Sequence, residues 1–261
     1  MSHLRPFVLP DFTVAQWLFA ALAGLGIGVS KSGLPGISLM HVVIFAQLFP
    51  GIASTGVVLP MLVCGDIGAV LLFRRDARWV YVMRTLPPAV IGVGIGWALM
   101  HWAQAHQIAG RRFNPWIGGI VLCLAVVQLW RNLKPDLFAH LPHSRAFAWA
   151  MGGIAGVTTM VANAAGPVMG LYLLAVSLPK DAFVGTAAWF FLLINLIKIP
   201  FSAQLGLIGV DSLLFNVLLI PFIAGGLFLG RKIVSVIPQK SFDNLILIFA
   251  AVASARLLGV L

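Results

Sequence analysis

The feature that most constrains the fold is a succession of long apolar stretches, each separated from the next by a few polar residues. A helix needs about 20 apolar residues to cross the hydrocarbon core of a membrane, with a range of roughly 17 to 25. Six stretches have about this length: Gly51–Phe73, Val80–His101, Pro115–Trp130, Val184–Leu205, Ser212–Gly230 and Asp243–Val260. The chain is 61% hydrophobic and only 9% charged, which is too little polar surface for a soluble domain. We therefore expect an all-α integral membrane protein.

Four shorter apolar stretches form two pairs, and each pair is interrupted by glycine and proline, at residues 31–36 and 163–167. The pairs are Val14–Ser30 with Ile37–Phe49, and Ala146–Met160 with Val168–Leu178. Irregular backbone at membrane depth is tolerated only where it faces protein or a wet cavity. We expect ten helical segments, and the interrupted ones either cross in two parts or re-enter from one side.

The two halves of the chain repeat one pattern of prolines and threonines. The matching positions are Pro35 and Pro167, Pro50 and Pro179, Thr55 and Thr186, and Pro88 and Pro221. Their separations of 129 to 133 residues are close to half the chain length. The sequence predicts two transmembrane repeats of about five helical segments, at residues 14–130 and 146–261, each starting with interrupted helices. A cytoplasmic linker at residues 131–145 joins them.

Five segments per repeat is an odd number, so the second repeat is expected to be inverted in the membrane. The loop at residues 74–78 carries three arginines, whereas its counterpart at residues 206–211 has no basic residue. Basic loops stay on the cytoplasmic side. We therefore expect a multi-pass protein of a bacterial inner membrane, with both termini in the periplasm.

The two interruptions indicate an anion site. Inverted repeats with broken helices are typical of secondary transporters that bind substrate near the bilayer midplane. A half-helix begins with unpaired N–H groups and partial positive charge, which suit an anion. Lys31 and Ser32 flank the first break and Asn163 the second, although Lys31 could instead extend along the helix to the membrane interface.

Three further residues suggest chemistry inside the membrane, where a charged side chain is costly and by default functional. Lys198 follows Asn195 by one turn and lies either deep in its segment or near the segment's end. Asp66 either balances Lys31 or Lys198, relays a proton, or forms a structural ion pair. His41 is either a packed side chain or a proton carrier. The predicted substrate-binding set is Lys31, Ser32, Gly33, Pro35, Gly36, Asn163, Gly166, Pro167, Asn195 and Lys198.

The glycine and proline pattern resembles that of the sulfite exporter TauE/SafE family over nearly the whole chain. It comprises Gly24-x-Gly26-x-Gly28 and Gly33-x-Pro35, then Gly152-Gly153-x-x-Gly156, Gly166-Pro167, Gly185-Thr186 and Asn195-x-x-Lys198. The resemblance implies an inner-membrane permease for sulfite, sulfonates or related organic anions, usually moving them outward. Ser30-Lys31-Ser32 and Asn163-Ala164-Ala165 stand where the family often has glycine-rich runs, and their polar residues point to a specialised substrate.

Other classes of function fit the sequence less well. The net charge of +10 comes from basic residues between apolar stretches, where membrane topology explains them better than nucleic acid. Motifs of hydrolases and metalloproteases are absent from the sequence, so we expect no enzyme, metal or cofactor. Glutamate is absent too, which disfavours a cation or metal permease. A carboxylate permease and a homodimer stay open. The expected partners are a small anion and the lipid bilayer.

Overall fold

A computed structural model describes residues 11–32, 37–134, 144–236, 255 and 257–260. In this part the chain forms nine α-helices and one short 3₁₀ turn. The helices are α1 Val14–Lys31, α2 Ser38–Leu48, α3 Ala53–Phe73, α4 Trp79–Ala105, α5 Asn114–Leu133, α6 Arg145–Ala162, α7 Ala165–Ala175, α8 Lys180–Gln204 and α9 Val210–Val236. Six of them are long and apolar enough to cross a membrane: α1, α3, α4, α5 with its preceding turn, α8 and α9. The predicted all-α membrane fold is confirmed, while most of the tenth segment, Asp243–Val260, lies outside the described residues.

The helices extend beyond the apolar stretches that predicted them. Helix α8 begins at Lys180 rather than Val184, and α9 continues to Val236 rather than ending at Gly230. Apolar composition marks the part of a helix in hydrocarbon, but the backbone hydrogen bonds continue into the headgroup region. Proline does not end these helices either, because Pro200 and Pro221 both lie within them.

The second interruption is shorter than predicted. Helix α6 continues to Ala162, and α7 already begins at Ala165, so Gly166 and Pro167 form the first turn of α7. Pro167 is the third residue of α7, where its missing N–H removes no intrahelical hydrogen bond. The break therefore consists of residues 163 and 164 rather than 163–167.

Each interrupted pair forms a hairpin that returns to the end of the molecule from which it started. In the first, the Phe12 ring before α1 lies 5.5 Å from the Phe49 ring after α2, measured between centroids. In the second, Phe147 in α6 lies 6.0 Å from Tyr172 in α7. Both interrupted pairs are thus re-entrant.

The two hairpins open toward opposite ends of the molecule. The first opens beside the turn after α4, where the Ile52 N–H donates to the Ala109 carbonyl at 3.0 Å. The second opens beside the start of α4, where Tyr81 lies 6.3 Å from Tyr172. Helix α4 has 27 residues and is about 40 Å long, so these contacts lie at its two ends.

Close helix pairs hold each hairpin in place. Helix α1 packs along α9 and α6 along α4, while α3 and α8 contact each other between them. A Cβ on Gly28 would collide with the Ile223 carbonyl, and one on Gly156 with the Ala89 carbonyl. Small residues let membrane helices approach this closely, which favours association in lipid. The tips of both hairpins thereby reach the central pair α3 and α8.

Candidate functional site

A cavity of about 50 Å³ lies where the hairpin tips meet α3 and α8. The first hairpin contributes Lys31 and His41 to its lining, the second contributes Asn163 and Gly166, and α8 contributes Asn195. A water molecule needs roughly 10–15 Å³ measured in this way. The cavity therefore has room for a few waters or one small ion.

A salt bridge between the first hairpin and α3 forms one side of the site. Lys31, the last residue of α1, places Nζ 2.6 Å from Asp66 Oδ1, and the Asp66 side chain is fully buried. The Asn195 side-chain amide donates to Asp66 Oδ2 at 2.7 Å. The same Lys31 nitrogen lies 4.6 Å from the centre of the Phe191 ring. Of the alternatives left open for Asp66, the structure shows a buried ion pair with Lys31.

A second lysine lies on the other side of the site and has a different kind of partner. Lys198 is 1% exposed and lies within α8, not at its end. Its Nζ donates to Asn163 Oδ1 at 2.6 Å, and to the Thr159 carbonyl at 2.7 Å and hydroxyl at 3.2 Å. In the part of the chain that the structure describes, these partners are all neutral.

Asn163 holds this side of the site together. It ends α6 in the left-handed conformation, with φ 53° and ψ 29°, which asparagine tolerates better than most residues. Its side-chain amide donates to the Thr55 carbonyl at 2.9 Å, while its oxygen accepts from Lys198. Helix α7 begins two residues later, so its first N–H groups, which lack intrahelical partners, are close to the cavity lined by Ala165 and Gly166.

The charges of the site do not balance among the described residues around the cavity. Two lysines, Lys198, which is buried, and Lys31, whose side chain is 9% exposed, lie near one buried carboxylate, that of Asp66. A buried charge without a counter-ion is strongly unfavourable. With both lysines charged, an anion in the cavity restores neutrality.

The structure brings most of the predicted residues together. Lys31, Asn163, Gly166 and Asn195 line the cavity, and Lys198 hydrogen-bonds to Asn163. Pro167 follows in the first turn of α7.

Ser32 has a different position. Its hydroxyl donates to the Val29 carbonyl at 2.8 Å, and it packs so closely on Gly230 that a Cβ there would collide with it. The other three predicted residues, Gly33, Pro35 and Gly36, lie outside the described residues.

Two residues that contact the lysines of the site were not predicted. Thr159 accepts hydrogen bonds from Lys198, and Phe191 lies under Lys31. Helical spacing contained a signal for each, because Thr159 precedes Asn163 by four residues and Phe191 precedes Asn195 by four. Side chains four apart share a helix face.

A multi-pass helical membrane protein with a buried, charged cavity between two re-entrant hairpins has the features of a membrane transporter. The family model of the sulfite exporter TauE/SafE matches residues 20–257. The chain belongs to this family, and the family resemblance read from its glycines and prolines is confirmed. At the level of the family it is a permease for sulfite or related sulfur anions. Neither curated proteins nor solved structures give a match.

Proposed function

We propose that this protein is a secondary transporter that exports a small sulfur-containing anion, such as sulfite or an organosulfonate, and binds it in the cavity between the hairpin tips. The observation that carries the proposal is the excess of positive charge at the cavity. Lys198 is buried against neutral oxygens, while Lys31 already has Asp66 as its partner. A bound anion would supply the missing negative charge and accept hydrogen bonds from the first turn of α7.

The proposed mechanism is alternating access by two inverted repeats. Two observations support it. The hairpins open toward opposite ends, and the packing of α1 on α9 has its counterpart in the packing of α6 on α4, which are the equivalent helices of the other half. With the site between the tips, movement of one hairpin would expose the anion to one side of the membrane. Movement of the other would expose it to the opposite side.

The proposed orientation places the end with residues 74–78 in the cytoplasm of a bacterium and the other end in the periplasm. Arg74, Arg75 and Arg78 are all exposed at the end proposed to be cytoplasmic. Basic residues concentrate on the cytoplasmic side. Gln16 and Leu258 line one depression at the opposite end, which supports periplasmic termini.

A cation substrate fits the site poorly. Within residues 11–32, 37–134 and 144–236, no group of three His, Cys, Asp or Glu side chains is placed to hold a metal ion. The net positive charge at the cavity would also repel a cation. A carboxylate shares the negative charge of a sulfonate, so a carboxylate permease is the alternative that the experiment must separate.

The test is counterflow of labelled anions in liposomes that contain the purified protein. We expect transport of sulfite or a sulfonate above that in protein-free liposomes, and weaker transport of acetate. Lys198→Met should reduce this transport at least about tenfold, because it removes a buried charge that the anion needs. Lys180→Met is the matched control, since Lys180 is exposed at the start of the same helix. Failure of every anion to move, or full activity of Lys198→Met, would contradict the proposal.

A further inference from the structure

His41 is a buried polar side chain to which the proposed function assigns no role. It lies in α2, is 1% exposed and lines the same cavity as Lys31. Neither Nδ1 nor Nε2 has a hydrogen-bond partner among the residues that the structure describes. Buried polar groups in proteins nearly always have such a partner. The cavity that His41 lines is a place where a bound anion can supply that partner.

Packing alone does not explain a histidine at this position. The repeat offsets of 132 and 129 residues, which relate the prolines around the two breaks, place Leu173 and Gly170 opposite His41. Both counterparts are buried in α7, and Leu173 is 0% exposed within the hydrophobic core. The equivalent place in the second hairpin is thus filled without a polar group. Because burying an unpaired imidazole is costly, packing alone gives no reason for a histidine in the first hairpin.

We propose that His41 binds the substrate directly, by donating a ring N–H hydrogen bond to an oxygen of the anion. This inference rests on the proposed function and adds a residue to its site. A neutral imidazole carries one N–H in either tautomer, and an imidazolium carries two, so the donor exists in every protonation state. His41 would hold the anion from the first hairpin, while Asn163 and the start of α7 would hold it from the second.

The inference is tested by three substitutions in the liposome assay, with methanesulfonate and sulfite as the probes. His41→Leu removes both ring nitrogens and should raise the KM about tenfold or more, the usual effect of losing a hydrogen bond to a charged group. His41→Asn and His41→Gln carry an amide N–H near the positions of Nδ1 and Nε2. At least one of them should keep the KM within about threefold of the unsubstituted protein. The amide that does so identifies the nitrogen that donates.

The controls separate binding from folding and from failure of the proposed function. His101→Leu changes an exposed histidine and should leave the KM unchanged. Thermal unfolding in detergent monitors the fold of every variant, and the two amide variants keep the test informative if His41→Leu is unstable. An unchanged KM in His41→Leu, or an equal increase in all three variants, would overturn the role of His41. Absence of anion transport by the unsubstituted protein would instead overturn the proposed function.

Discussion

The two hairpins make the same contact with the central helices but distribute the charge differently. In the first half, Lys31 at the end of α1 bonds to Asp66 in α3. In the second half, Asn163 at the end of α6 bonds to Lys198 in α8. The partners are 35 residues apart in both cases, and an offset of 132 residues converts the first pair into the second.

The comparison separates what holds the fold from what holds the substrate. The contact between Lys31 and Asp66, the first contact, is an ion pair whose charges cancel, so it can join α1 to α3 without a ligand. The contact between Asn163 and Lys198, the second contact, joins an amide to a cation and leaves one positive charge uncompensated among the described residues. On this reading the first contact is structural, and the second attracts the anion.

The largest effect is expected when the first contact is broken. Asp66→Asn removes the negative partner and leaves Lys31 as an unpaired cation whose side chain is only 9% exposed. Loss of one member of a buried ion pair costs about 3–5 kcal/mol of stability. Thermal unfolding in detergent should therefore show a large decrease in Tm for Asp66→Asn.

Asp76→Asn is the control for this prediction, because Asp76 is exposed in the loop between α3 and α4. It should unfold at the same temperature as the unsubstituted protein. Equal Tm values for Asp66→Asn and the unsubstituted protein would show that the first contact does not stabilise the fold.

A smaller effect, on transport rather than stability, is expected when the second contact is converted into an ion pair like the first. Asn163→Asp gives Lys198 a carboxylate partner and removes the excess positive charge from the cavity. Aspartate also tolerates the left-handed backbone at this position. Anion transport in liposomes should fall about tenfold or more. Tm should fall less than in Asp66→Asn, because the new ion pair with Lys198 offsets the lost hydrogen bond to the Thr55 carbonyl. Transport at the original rate would mean that the excess charge does not attract the substrate.

The sequence was sufficient to predict the helices but not the path of the interrupted ones. A membrane demands about 20 apolar residues per crossing, so segments such as Ala53–Phe73 stand out from composition alone. An 18-residue arm followed by an 11-residue arm fits either a crossing in two parts or a re-entrant hairpin. Only contacts such as that of Phe12 with Phe49 decide between them.

The members of the site were easier to predict than their pairing. Lys31, Asp66, Asn195 and Lys198 stand out because polar residues within membrane spans are rare. Their partners depend on which faces of α1, α3 and α8 meet, and this depends on close contacts such as that of Gly28 with Ile223. Spacing along the chain therefore left Asp66 with two candidate lysines, and the packing of the helices selects Lys31.

The smallest effect is expected at the aromatic ring that supports the first contact. Phe191 lies 4.6 Å from Lys31 Nζ, and a cation over an aromatic face gains about 0.5–2 kcal/mol. Phe191→Leu keeps an apolar side chain but loses this attraction, so Tm should fall by a few degrees, less than in Asp66→Asn. Phe228→Leu, at an exposed position of α9, is the matched control and should not change Tm. If Phe191→Leu lowers Tm no more than this control does, the salt bridge with Asp66 alone holds Lys31, and the ring merely fills space beside it.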